Sequence, residues 1–67
     1  MNIIFNNENI VLPNDYMTLE ELAKWKGIPM QGSAIAVNDK LIKRDKWPVI
    51  KLENLDRVTV ITAAFGG

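Results

Sequence analysis

The chain has 67 residues, enough for one domain and no second. Eight basic and eight acidic residues give no formal net charge, which argues against a nucleic acid partner, because such binders need a basic excess to displace counterions from phosphates. With no Cys and no His, the chain lacks disulfides, thiol nucleophiles, zinc sites of the usual composition and the commonest general base.

A chain this short buries only about 60% of the surface its unfolded form exposes, so the core is thin. The apolar share of 48% and charged share of 24%, with charges spread along the chain, still describe a folded domain. Met1-Asn2-Ile3-Ile4-Phe5 carries no basic segment ahead of a long apolar run, so no signal peptide is expected. No stretch approaches the ~18 apolar residues of a membrane helix. A cytoplasmic protein without a membrane partner is the expectation.

Ile3-Ile4-Phe5 and Ile10-Val11-Leu12 are β-prone runs around Asn6-Asn7-Glu8-Asn9, residues that tolerate left-handed backbone, and they read as a β-hairpin. Pro13 ends the second strand because it cannot donate to a ladder. Thr18-Leu19-Glu20-Glu21 is a capping box, in which Thr and Glu satisfy two orphan amide donors reciprocally. It predicts a helix from Leu19 to Lys26, closed by a left-handed Gly27 and blocked by Pro29. Leu19, Leu22 and Ala23 share one face of it. Lys26 falls on the same stripe, where its stem can lie on the core while its ammonium stays in water.

Ile35-Ala36-Val37 is the next strand, Asn38-Asp39 a turn, and Leu41-Ile42 a short return to β character. Arg44-Asp45-Lys46-Trp47-Pro48 reads as irregular chain or one helical turn, with Trp47 anchored in the core. Val49-Ile50-Lys51-Leu52 pairs weakly with a neighbour. After a turn at Asn54-Leu55-Asp56 comes the strongest strand, Arg57-Val58-Thr59-Val60-Ile61-Thr62. Val58 and Val60 lie on one face of it, Thr59 and Ile61 on the other. Apolar residues on both faces place it at the centre of the sheet, with one face on the helix and the other partly open. The order is that of an α+β domain: one helix across a small mixed sheet.

The chain ends in Ala63-Ala64-Phe65-Gly66-Gly67. At an average glycine usage of about 7%, two final glycines arise by chance in about one chain in two hundred, so the pair is suggestive without being decisive. Two glycines enter a narrow cleft in conformations closed to other residues. Five residues reach at most about 17 Å, enough for Gly66, Phe65 and Ala64 to pass into a partner's active site from a docked body. The Gly67 carboxylate would then attack the α-phosphorus of ATP, and a sulfur nucleophile would displace the resulting adenylate. The partner would supply the metal and phosphate-binding groups, because this sequence has no Gly-rich phosphate loop and no metal-ligand motif. On this reading the chain is a substrate and not an enzyme.

At this point the sequence resembles the ThiS-type sulfur carriers of thiamin biosynthesis over essentially its whole length. Ile3-Ile4-Phe5-Asn6 is similar to that family's opening strand and Thr18-Leu19-Glu20-Glu21-Leu22 to its capped helix. The most specific block is Ala34-Ile35-Ala36-Val37-Asn38, followed by Leu41-Ile42, Arg44 and Trp47 and closed by Gly66-Gly67. The resemblance implies a β-grasp (ubiquitin-like) fold over residues 1–67, with a flexible tail at 63–67. It implies that an E1-like enzyme of the ThiF type adenylates Gly67 and that a sulfur-donor enzyme converts it to a thiocarboxylate. A thiazole synthase of the ThiG type then receives the sulfur. ATP serves the activating partner, and this chain binds no cofactor of its own. Three positions depart from the family: Lys43 stands where Pro is frequent, Asn54-Leu55-Asp56 replaces an Asp-Gly-Asp turn, and Phe65 replaces a small residue. The last bears on how the tail enters a partner, and on which partner.

Several side chains have two readings. Arg44 is either a solvated loop residue or ion-paired with Asp45 or Asp39 on one reading, and a docking contact on the other. Lys40, Lys43, Arg44 and Lys46 form a basic cluster that is either a solvated face or a steering patch. Trp47 reads as a core anchor before a binding residue, and Trp25 as a core flank or an exposed aromatic. Thr59 and Ile61 are the best candidates for an exposed sheet face that docks an enzyme. Two other functions stay open: the same carrier chemistry in molybdopterin or amino-acid biosynthesis, and a non-reactive binding module.

Overall fold

The computed structural model describes residues 1–29 and 31–62. The tail expected at 63–67 therefore lies outside the described residues, and Ala64, Phe65, Gly66 and Gly67 with it.

Strands β1 (Asn2–Phe5) and β2 (Glu8–Val11) form an antiparallel hairpin. Its turn is only Asn6-Asn7, with φ of 47° and 69°. Two left-handed residues in succession give the turn whose twist matches that of the flanking strands, so Glu8 and Asn9 join β2 and not the turn. The assigned strand closes at Val11, but Leu12 carries the pairing one step on, its N–H donating to the Met1 carbonyl at 2.8 Å, and is buried.

Helix α1 (Leu19–Lys26) follows its local signals closely. Glu21 N–H donates to Thr18 Oγ1 at 3.1 Å, and Thr18 N–H donates to Glu21 Oε1 at 2.8 Å, completing the capping box. At the other end Gly27 has φ 69°, its N–H donates to the Lys24 carbonyl, and Ile28 N–H donates to the Ala23 carbonyl. These two bonds are the Schellman closure that only a left-handed residue permits without strain. Leu19, Leu22 and Ala23 are fully buried. Lys26 is exposed, and its ammonium lies 5.0 Å from the centroid of the Phe5 ring and 5.8 Å from that of Trp25.

Strands β3 (Ser33–Val37) and β4 (Lys40–Ile42) form a second hairpin around Asn38-Asp39, again with two positive φ values of 50° and 69°. A 3-10 helix (Arg44–Val49) carries Trp47 into the core, where its Nε1–H donates to the Ile42 carbonyl at 3.2 Å. Val49 thus belongs to that turn. Of the four residues expected to pair weakly, Lys51 alone makes a bridge, to Thr18 at the helix cap. Strand β5 (Arg57–Thr62) runs parallel to β1 and antiparallel to β3, giving the sheet order β2-β1-β5-β3-β4. The last strand is the middle one, as its two apolar faces predict. The helix and the 3-10 turn cover one face through Ile3, Leu19, Leu22, Ile35, Trp47 and Val58. This is the β-grasp arrangement.

Candidate functional site

The geometry of the site follows from the register of β5. Directly opposed residues in a sheet point to the same face, and successive residues alternate. Val58 opposes Val37 and Phe5, and Val60 opposes Ile35, so these belong to the helix side. Thr59 opposes Ala36, which in turn opposes Leu41, and Ile61 opposes Ala34. These five residues therefore share the open face, away from the helix. Thr59 is exposed, Ile61 is 66% exposed and Leu41 is 72% exposed. On the other side of β5, Ile4 opposes Arg57 and Asn9 on the same face, and Asn2 opposes Val11, which is 69% exposed.

The open face is thus an apolar shelf across three strands, with small alanines between Leu41 and the Thr59/Ile61 pair. Exposed apolar groups gathered in this way are the ordinary mark of a surface that another protein covers. Thr59 and Ile61 were expected here. Leu41 and Ala36 were read as strand residues, Ala34 only as part of the block that carries the family resemblance, and none as part of this face, because alternation along one strand does not reveal which residues of its neighbours it will oppose.

Arg44 opens the 3-10 helix just beyond the edge strand β4 and is exposed together with Lys40, Lys43 and Lys46. Of the readings open for it, the ion pair with Asp39 is not made. Asp39 instead accepts from the Arg57 guanidinium at 2.6 Å, because the β3–β4 turn folds back over the start of β5. Among the described residues no ion pair involves Arg44, Asp45 included. Trp47 is a core residue, whereas Trp25 is 48% exposed on the helix. Also on the helix side, the ammonium of Lys51 is raised above its ordinary pKa by its hydrogen bond with Tyr16, and secondarily by that phenol's charge.

Below the shelf the start of β5 is tied into the body by polar groups. Asp56 is buried; its carboxylate accepts from Asn38 Nδ2 at 3.0 Å and from Glu53 N–H at 2.8 Å. Asn38 Oδ1 accepts from Arg57 N–H at 2.9 Å. At the opposite end, Thr62 hands the chain on to residue 63 beside β3, with its hydroxyl 3.5 Å from that of Ser33. An open pocket lined by Met1, Asp15, Leu52, Glu53 and Asn54 lies at the start of β5, away from that exit. No group of three His, Cys, Asp or Glu among the described residues is placed to hold a metal ion, and no described helix is long and apolar enough to cross a membrane.

The model of the ThiS family matches residues 2–67. The fold is similar to the crystal structure of a thiamine biosynthesis protein (ThiS) from Geobacter metallireducens. That match has a TM-score of 0.86 and 16% identity and covers all of both chains. It is also similar to the solution structure of a thiamine biosynthesis protein from the same organism, with a TM-score of 0.84 and 17% identity, over all of this chain and 88% of that one. At such identities the likeness speaks for the fold alone. No curated protein sequence matches significantly.

Proposed function

This chain belongs to the ThiS family, and we propose that it is a cytoplasmic sulfur carrier of thiamin biosynthesis whose reactive group is the α-carboxylate of Gly67. The observation that carries this reading is the reach of the family match. It runs through Gly66 and Gly67 and is not confined to the folded body. The placement of the central strand supports it, since β5 is the element that passes directly into residues 63–67.

In this reading the body docks and the tail reacts. The open face, with Thr59 and Ile61 at its middle and Leu41, Ala34 and Ala36 beside them, lies against an E1-like enzyme of the ThiF type. Arg44 and the lysines around it steer that encounter by charge. Ala64, Phe65 and Gly66 pass into the partner's cleft, and the Gly67 carboxylate attacks the α-phosphorus of ATP, releasing pyrophosphate. Sulfide-level sulfur delivered by a sulfur-donor enzyme displaces AMP and leaves a thiocarboxylate, whose sulfur a ThiG-type thiazole synthase takes up as the Gly67 carboxylate is restored with an oxygen in the sulfur's place. Positioning by the docked body supplies most of the advantage, because a carboxylate held at reacting distance no longer pays the entropy of a bimolecular encounter. The chain contributes no acid, base or metal to the step and is consumed and regenerated as a substrate.

The test is an intact mass after incubation with a ThiF-type enzyme, ATP and a sulfur source. Replacement of one carboxylate oxygen by sulfur, lost on deletion of Gly67 with folding retained, is the expected result. Conversion by a molybdopterin-type activator alone would move the carrier to another pathway. No conversion by either would leave a binding module and overturn the reading.

A further inference from the structure

Asn6 does two things at one point of the sheet. It is the first residue of the β1–β2 turn, with φ 47°. It is also the last residue of the β1 side to touch β5. Its main-chain N–H donates to the Val58 carbonyl at 2.9 Å. In a parallel ladder the same residue would accept, through its main-chain carbonyl, from the N–H two positions further along the neighbour. Here the side chain takes that bond: Val60 N–H donates to Asn6 Oδ1 at 2.8 Å. The amide side chain stands in for a main-chain carbonyl and carries the ladder one step past the point where the backbone turns away.

Among the described residues, β5 beyond that step is paired on one flank only. Ala34↔Ile61 and Ser33↔Thr62 continue on the β3 side, while β1 opposes no residue past Val58. Among the described residues the Asn6 clasp is therefore the last hydrogen bond on the β1 flank before the end of β5 at Thr62. We propose that Asn6 is a positioning residue: it fixes the twist and heading of the end of β5, and so the direction in which the reactive tail leaves the docked body. This inference rests on the carrier reading above. A heading error at Thr62 grows along the tail, and misplacement of a reacting group by about 1 Å can cost up to ~100-fold in rate. A partner cleft that gathers a misdirected tail restores the chemistry but meets a less ordered substrate, so the loss is expected in KM more than in kcat.

The experiment compares the whole chain with Asn6→Gly and Asn6→Asp. Glycine keeps the left-handed turn and removes the acceptor, whereas aspartate keeps both. With a ThiF-type enzyme and ATP, Asn6→Gly is expected to raise the KM for the carrier by about tenfold and leave kcat within about twofold, at a temperature where thermal melting shows it folded. Asn6→Asp should return KM close to that of the natural sequence. Hydrogen exchange at the Val60 amide should quicken in the glycine variant alone. An unchanged KM in a folded Asn6→Gly, or a Val60 amide as protected as before, overturns the inference while the carrier reading stands. If the natural chain itself is not adenylated, the carrier reading falls and takes this inference with it.

Discussion

At the start of β5, Asn38 donates its N–H to the Arg57 carbonyl at 2.8 Å and accepts from Arg57 N–H through Oδ1 at 2.9 Å. Further along the same strand, on its other flank, Asn6 donates its N–H to the Val58 carbonyl and accepts from Val60 N–H through Oδ1. Both asparagines open a two-residue hairpin turn at positive φ, and both use a side-chain oxygen where a ladder would use the backbone. The surroundings differ. Asn38 also donates Nδ2 to the buried carboxylate of Asp56, which holds Glu53 N–H as well, and Arg57 is further tied to Asp39. The Asn6 bond lies in the open, with no second layer behind it among the described residues. One device thus serves as a fixed root at the start of the strand and as a light guide further along it. A strand built to present its end to a partner needs both, since a loose root would forfeit the stability of the fold.

The largest effect that would break this contrast is on Asp56. Asp56→Ala leaves Asn38 Nδ2 and Glu53 N–H without their acceptor in a partly buried setting, and hydrogen bonds to a charged group are each worth about 1.5–3 kcal/mol. A loss of about 2–3 kcal/mol is expected, out of the roughly 3–10 kcal/mol that a domain of this length possesses. Asn6→Gly should cost only about 0.5–1 kcal/mol, because water replaces the lost acceptor. Urea unfolding of the two variants checks the ranking; equal losses would show the two clasps to be equivalent in the fold.

A smaller effect, of opposite sign, is expected two residues before β5. Leu55 holds φ 70° in the turn that precedes Asp56, a left-handed conformation that costs an L-residue about 1–2 kcal/mol. Its side chain is more than half exposed, so little packing offsets the strain. Leu55→Gly relieves it, less the added entropy of glycine in the unfolded chain, for a net gain of about 0.5–1 kcal/mol. A lower unfolding midpoint in Leu55→Gly would mean that Leu55 packs to more purpose than its exposure implies.

What the sequence told in advance divides along a physical line. The helix was legible to the residue, because the capping box and Gly27 act within one turn and need nothing distant. The central place of β5 was legible in the apolar residues on both its faces, which suit a strand inside the sheet better than one at its edge. Asn6 and Asn38 were recognisable as turn formers from their tolerance of left-handed backbone. Their clasps on β5 were not, because Asn6 and Val60 are 54 positions apart and only the parallel register brings them together. The same limit hid Leu41, Ala34 and Ala36 from the open face, and led Asp39 to be offered to Arg44 when the hairpin delivers it to Arg57. At Asn54-Leu55-Asp56 the turn was foreseen, but nothing local marked Leu55 as its left-handed residue.

The smallest effect on the fold is expected one residue past the Asn6 clasp, at Ile61. Ile61→Thr keeps the β-branch that suits a strand and removes apolar surface that is already mostly in water. Stability should therefore change by less than about 0.5 kcal/mol, the ordinary range for an exposed site. Docking is another matter. If the open face is covered by the activating enzyme, truncating an anchor near its middle should weaken binding by about tenfold, close to 1.4 kcal/mol. Thermal melting and a binding titration on the same preparation separate the two quantities. The variant also separates the two ways in which β5 can serve a partner. Asn6 acts on where the strand points and Ile61 on what it presses against, so Asn6→Gly should spare the affinity of a chain truncated after Thr62, whereas Ile61→Thr should weaken it. A truncated chain that binds equally well with either residue at position 61 would remove the shelf from the docking surface.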